Sequence, residues 1–132
     1  MEILYPVLQG EAMEVVAVIG ASSNESRYSY KAIHLLKAYG HKPVPVSPRE
    51  TEILGFKVVS DLDQINEKID TVTMYVNAQK SEKMLESFLK LKPKRVIFNP
   101  GSENYPLMKN LEENGIKVEE ACTLVLLRTN QY

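Results

Sequence analysis

Five short segments of this chain combine small, polar and turn-forming residues: Gly20-Ala21-Ser22-Ser23-Asn24, Ser47-Pro48-Arg49, Asn77-Ala78-Gln79, Asn99-Pro100-Gly101 and Glu120-Ala121-Cys122. Their chemistry is that of a cradle. Small side chains let backbone amides approach a phosphate, and a loop feeding a helix N-terminus adds unbonded N–H groups at the favourable end of the helix dipole. Every fold of this class also needs such turns simply to end its strands. Arg27 follows the first segment, where a guanidinium can pair with a pyrophosphate or stand in solvent. Arg49 can reach a ribose phosphate or stay solvated. Tyr28, Tyr30 and Tyr75 offer flat faces to an adenine ring, although Tyr75 equally suits a core.

No catalytic constellation assembles. Only Glu103, Glu119 and Glu120 fall near these segments, and none has a second acid placed to complete a mechanism. His34 and His41 lack an acid partner and metal-ligand spacing, and read as solvated or packing residues. Cys122 is the single cysteine, so neither an internal disulfide nor a cysteine-rich zinc site can form. An unpaired cysteine usually behaves as a small buried hydrophobe.

The elements that must position these segments alternate. Val15-Val16-Ala17-Val18-Ile19 is apolar throughout, as in a strand covered on both faces, and stops at Gly20. Ser29 offers an N-cap to a helix buried through Ala32, Ile33, Leu35, Leu36 and Tyr39, ended by Gly40. Val44 to Val46 is a strand, Lys57-Val58-Val59 a shorter one, and Asp61 with Gln64 has capping-box spacing for a short helix. Thr71 to Val76 predicts a strand and Ser81 to Leu91 a helix. Arg95 to Phe98 predicts a strand, Pro106 suits the first turn of a helix closing at Gly115, and Ile116 to Glu119 is a last strand. Pro43 and Pro45 remove two N–H groups from one side of the second strand, placing it at the sheet edge or against the short strand. Such alternation predicts a doubly wound parallel sheet in a three-layer α/β/α domain over residues 14–132, preceded by an N-terminal extension over 1–13. In that architecture ligands bind beyond the strand carboxyl ends, where the strand order reverses. The basic cluster Lys90, Lys92, Lys94 and Arg95 falls at the opposite end and reads as a solvated face.

Composition narrows the classes. With 132 residues, 44% hydrophobic and 25% charged, the chain suits one globular domain. Sixteen Lys+Arg against 17 Asp+Glu leave no electrostatic footprint for nucleic acid or a membrane surface. No signal peptide or membrane span is visible, so the expected location is cytoplasmic.

The first loop lacks the glycines of G-x-G-x-x-G, having Ser22 and Glu25 in their places. The second strand ends in Ser47-Pro48 rather than the acid that holds the ribose of NAD. A phosphate-binding G-x-x-x-x-G-K-[ST] is absent, so NAD and ATP are both disfavoured.

Val16-Ala17-Val18-Ile19-Gly20-Ala21-Ser22, Pro45-Val46-Ser47-Pro48, Ile53-Leu54-Gly55 with Lys57-Val58, and Thr73-Met74-Tyr75-Val76 together resemble the Rossmann-type CoA-binding domain family. That domain occurs alone and as the N-terminal domain of the succinyl-CoA synthetase alpha subunit. The resemblance covers about residues 14–128. It implies that CoA or acyl-CoA is held by the first loop at Ala21 to Asn24, by Lys42 at the start of the second strand, and by the turn at Phe98, Asn99 and Pro100. Gly20, Arg27, Ser47, Pro48, Tyr75, Val76, Asn77, Gly101 and Cys122 complete the expected site. The synthetase loop is richer in glycine, and its phosphorylated histidine belongs to a second domain, so ligase activity does not carry over. A cysteine at a position similar to Cys122 occurs in the synthetases, which raises a mixed disulfide between Cys122 and the CoA thiol as an alternative to burial.

The expectation is a small protein that holds the ADP part of CoA without catalysis of its own, with room for a homo-oligomer. The alternatives are an NAD(P)-linked enzyme with an atypical glycine loop, and a regulatory interaction module whose nucleotide site has decayed.

Overall fold

Val16, Ala17, Val18 and Ile19 carry no polar side chain, and all four are buried in the computed structural model, which describes residues 13–132. They form β1 (Val15–Ile19), the second strand of a five-stranded parallel sheet. Beside it lie β2 (Lys42–Val46) on one flank and β5 (Thr71–Met74), β6 (Arg95–Phe98) and β7 (Lys117–Glu120) on the other, in the order β2-β1-β5-β6-β7. Between β2 and β5 the chain makes an antiparallel pair, β3 (Glu52–Ile53) and β4 (Phe56–Lys57), and a 3-10 turn over Leu62–Gln64.

Helices cover both faces. On one, α1 (Tyr28–Ala38) and α5 (Thr123–Arg128) enclose Val16, Val18, Ile33, Leu36 and Leu127. On the other, α3 (Leu85–Leu91) and α4 (Tyr105–Glu113) cover Ala17, Val72, Met74, Val96 and Phe98. This is the expected Rossmann-like, three-layer single domain. The predicted N-terminal extension lies, Met13 apart, outside the described residues.

The prolines act as expected. Pro43 and Pro45 are buried in the edge strand β2, which bonds to β1 through its other side. On the proline side, Val59 N–H donates to Pro45 O at 3.0 Å and Ser47 N–H donates to Val59 O at 3.0 Å, so the short segment after β4 covers the edge.

Several local expectations change: the strand expected over Thr71 to Val76 ends at Met74, and the short strand expected at Lys57-Val58-Val59 falls at Phe56–Lys57. Helix α1 begins at Tyr28 with Arg27 as N-cap residue, and Ser29 is buried inside its first turn. The helix expected over 81–91 is broken into α2 (Ala78–Ser81) and α3. The cause is tertiary: Ser81 is buried, and its Oγ accepts from Asn104 Nδ2 at 2.9 Å and donates to Ala78 O at 3.4 Å. The last strand shifts by one residue, to Lys117–Glu120. Arg95 is not on a solvated face. Its side chain is only 11% exposed, donates to Thr71 Oγ1 at 2.9 Å, pairs with Glu14 and Glu119 at 3.6 and 3.4 Å, and lies 4.3 Å from the Tyr132 ring centroid.

Candidate nucleotide-binding site

The chain runs from β1 outward to β2, then returns to β5 on the far side of β1, so the strand order reverses between β1 and β5. Gly20 sits at that point. Its φ is +86°, and a Cβ there would lie 2.8 Å from Tyr75 O and 2.9 Å from Val76 Cγ1. Only glycine lets the ends of β1 and β5 approach this closely.

Beyond these carboxyl ends lies a cleft of about 860 Å³, walled by Gly20, Ala21 and Ser22 from the first loop, Ser47 to Glu50 after β2, Asp61 and Asp63 at the 3-10 turn, and Tyr75 to Asn77 after β5. A smaller chamber of about 340 Å³ adjoins it, between the start of α1 and Pro100-Gly101-Ser102. Gly20, Ser22, Arg27, Tyr75, Val76 and Asn77 form the wall common to both. The structure thus brings together Gly20, Ala21, Ser22, Arg27, Ser47, Pro48, Tyr75, Val76, Asn77, Pro100 and Gly101 from the expected set.

The first loop is braced by its own polar atoms. Gly20 and Ala21 N–H groups both donate to Val46 O at 3.1 Å, and Asn24 N–H donates to Ser22 Oγ at 3.0 Å. Ser26 donates to Asn24 Oδ1 through its N–H at 3.0 Å and its hydroxyl at 2.7 Å. Ser23 N–H and Oγ both donate to Glu50 Oε2 at 3.0 Å. Most of the amides expected to cradle an anion are therefore already bonded. The first turn of α1, which has no side-chain cap, keeps unbonded donors of its own. Its Tyr28 and Ser29 line the smaller chamber, with Tyr28 67% exposed.

Three cations line the larger cleft: Arg27, Arg49 and Lys80. None has a carboxylate within ion-pair distance among the described residues. Glu50, Asp61 and Asp63 share the same walls, whereas the smaller chamber holds Arg27 and no acid. Lys80, Glu50, Asp61 and Asp63 were not expected from the sequence. For Lys80 a signal existed, since Asn77 caps α2 by accepting from its N–H at 3.0 Å, which fixes its distance from the strand end.

Several expected residues stand apart. Lys42 begins β2 opposite Val15, at the amino edge of the sheet, with about 13 Å of strand between it and Val46. Its Nζ pairs with Glu67 at 2.8 Å instead. The Phe98 side chain is fully buried in the core, and its carbonyl accepts from Ala121 N–H at 3.2 Å. Asn99 is buried and committed: its Nδ2 donates to Thr73 Oγ1 at 2.7 Å and Met74 O at 2.8 Å, and its Oδ1 accepts from Thr123 N–H at 2.8 Å. Ser23 and Asn24 are exposed on the loop, and neither is among the residues facing the cleft. Cys122 is partly buried as the N-cap residue of α5 and lines neither chamber. Tyr75 reaches both chambers, but its hydroxyl is buried without a hydrogen-bond partner, and burial pushes its pKa up to about 12. The two histidines lie elsewhere, His34 exposed on α1 and His41 buried just before β2.

A carboxyl-edge cleft at a strand-order switch, faced by cations, is the geometry of nucleotide-binding α/β proteins. The sequence profile described as "CoA binding domain" matches residues 14–128. The chain belongs to this CoA-binding domain family. An uncharacterized protein of Bacillus subtilis, YneT, is 29% identical over 116 residues, which cover 82% of this chain and 86% of that protein. The ADP-forming acetate–CoA ligase of Methanocaldococcus jannaschii is 33% identical over 102 residues, 74% of this chain. The chain spans only 14% of that ligase's length. A solved structure of an uncharacterized protein superposes with a TM-score of 0.87 at 41% identity, covering 92% of this chain and 99% of its own. Among the described residues, no helix is long and apolar enough to cross a membrane.

Proposed function

We propose that the protein binds CoA or acyl-CoA, holding the ADP portion across the carboxyl edge of the sheet without catalysing a reaction itself. The observation that carries this reading is the cleft at the β1–β5 switch lined by Arg27, Arg49 and Lys80, three cations without acidic partners among the described residues. Cations left unpaired beside a cleft suit a ligand with several phosphates, because charge-assisted hydrogen bonds to phosphate are the strong ones. In this reading the pyrophosphate faces Arg27 and the uncapped first turn of α1, where N–H groups and the dipole favour an anion. Family membership supports CoA over other nucleotides, and so does the ending of β2 in Val46-Ser47-Pro48 without a ribose-binding acid directly after it.

The non-catalytic part rests on the residues present. Among the described residues no group of three His, Cys, Asp or Glu side chains is placed to hold a metal ion, and neither histidine lines the cleft. Isothermal titration with CoA, acetyl-CoA, NAD and ATP tests the proposal. Saturable binding of CoA with weaker or no binding of NAD and ATP is expected; tighter binding of NAD than of CoA would overturn it.

A further inference from the structure

A buried polar side chain ordinarily has a hydrogen-bond partner. Among the described residues, every buried serine, threonine and asparagine but one follows that rule. Ser81 accepts from Asn104 at 2.9 Å, Ser102 donates to Asn99 O at 2.7 Å, Thr73 and Thr123 share a bond of 2.8 Å, and Ser47, Thr71 and Asn99 are likewise bonded. The exception is Ser29, which is 4% exposed and whose hydroxyl has no partner among the described residues. A serine within a helix commonly donates to the carbonyl four residues back. For Ser29, the second residue of α1, that carbonyl belongs to Glu25 in the preceding loop, and no such bond forms. Nor is the oxygen sealed in. The side-chain atoms that lack both surface and partner are the Tyr75 and Tyr132 hydroxyls, so the little surface that Ser29 keeps includes its Oγ.

Ser29 lines the smaller chamber, and the groups beside it suit one kind of ligand atom. The N–H groups of Tyr28, Ser29 and Tyr30 precede the first intrahelical bond and have no side-chain cap. Arg27, the N-cap residue, lines the same chamber with a guanidinium that has no acidic partner among the described residues. No acid lines this chamber, whereas Glu50, Asp61 and Asp63 line the larger one. Donors and positive charge without a facing acceptor call for a negatively charged acceptor, which a phosphate oxygen provides. We propose that the smaller chamber is the phosphate subsite of the cleft, and that the Ser29 hydroxyl donates to a phosphate oxygen held there by Arg27 and the first turn of α1. The ligand's identity rests on the CoA reading above; the subsite itself concerns any phosphate group. The hydroxyl is unsatisfied in the empty protein and satisfied by the ligand. Removing it therefore weakens binding without weakening the fold, which separates Ser29 from a packing residue.

The test compares wild type and Ser29→Ala by calorimetric titration with CoA and, separately, with inorganic pyrophosphate, and by thermal melts without ligand. Alanine keeps the Cβ, suits a helix, removes the Oγ and changes no charge. Ser29→Ala is expected to bind both ligands about tenfold to a hundredfold more weakly, as for one lost hydrogen bond to a charged group. Its melting temperature should equal or exceed that of wild type, because an unpaired buried hydroxyl has gone. Unchanged affinity for both ligands would overturn the proposal. A lowered melting temperature would overturn it too, by showing that the hydroxyl bonds within the protein. Weaker binding of CoA alone, with pyrophosphate held as in wild type, would overturn it by assigning Ser29 to an uncharged part of the ligand. Pyrophosphate bound by neither protein would likewise overturn it. Pyrophosphate bound more weakly by Ser29→Ala, with CoA bound by neither protein, would leave the subsite standing and remove the CoA reading.

Discussion

Asn99 Nδ2 lies 2.7 Å from Thr73 Oγ1, fastening the residue after β6 to the middle of β5. The same side chain bonds to Met74 O and to the N–H of Thr123 at the start of α5, so one buried amide joins three elements beneath the cleft. Asn99→Ala leaves those groups unsatisfied in the interior. A loss of about 2–4 kcal/mol is expected from urea unfolding, since each orphaned buried polar group costs about 1–3 kcal/mol. A loss under about 1 kcal/mol would show that water replaces the amide.

Gly20→Ala adds a Cβ at 2.8 Å from Tyr75 O at a residue with φ of +86°. The left-handed strain and the collision together predict a loss of about 2–4 kcal/mol. CoA affinity should fall as well, because β1 must move away from β5 at the cleft floor. Wild-type stability and affinity in this variant would mean that the switch point is more pliant than its geometry.

Arg27→Ala, Arg49→Ala and Lys80→Ala should each weaken CoA binding, by about 1.5–3 kcal/mol for a cation in direct contact with phosphate. Their melting temperatures should barely move, since all three side chains are exposed and unpaired. Lys42→Ala should leave CoA affinity unchanged, because its ammonium pairs with Glu67 at the other edge of the sheet. A defect in Lys42→Ala equal to that in Arg27→Ala would contradict the placement of the ligand.

How much of this was legible in the sequence depended on the kind of signal. The three central strands, β1, β5 and β6, are carried by runs of β-branched residues, and the loops at their carboxyl ends follow from where those runs stop, so the position of the cleft was readable. The break between α2 and α3 was not, because it depends on Ser81 meeting Asn104, 23 residues later. Glu50, Asp61 and Asp63 look like ordinary loop charges until β3, β4 and the 3-10 turn fold them over the cleft. Lys42 came from family resemblance, while its position at the first residue of β2 already implied the amino edge. Phe98 and Asn99 were correctly placed at a strand end, but their side chains point into the interior, a direction set by strand pairing and not by position in the chain.

Asp70 supplies a pH prediction. Val15 N–H donates to its Oδ2 at 2.8 Å, and Lys94 Nζ lies 3.3 Å from its Oδ1. The backbone bond chiefly, aided by Lys94 and opposed by burial, holds its carboxyl below its ordinary value near 3.8. A carboxyl that titrates lower in the native state than in the unfolded one contributes fully above its unfolded value, and that contribution is lost as pH falls through the native one. Asp70→Asn should therefore be less stable than wild type at pH 7, with the difference shrinking below about pH 4. A difference that stays constant to pH 2, followed by chemical denaturation, would assign the effect to shape alone.

Tyr75→Phe removes a buried hydroxyl that has no hydrogen-bond partner, beside the Thr73 and Thr123 hydroxyls, which are bonded to each other at 2.8 Å. Stability should be unchanged or slightly higher, since no hydrogen bond is broken and a buried polar atom is removed. A loss above about 1 kcal/mol, the usual net value of one hydrogen bond, would reveal a bond made in solution.

The prolines of β2 reach beyond the monomer. A strand approaching that flank would need amide donors at 43 and 45 and find none, and the carbonyl at 45 is already taken by Val59. The sheet is thus polar in its capacity for growth, closed at β2 and terminated at its other end by β7, whose residues are Lys117, Val118, Glu119 and Glu120. Any continuous sheet shared between two copies would have to be joined β7 to β7, across a seam carrying four glutamates that only counter-charges such as Lys117 could offset.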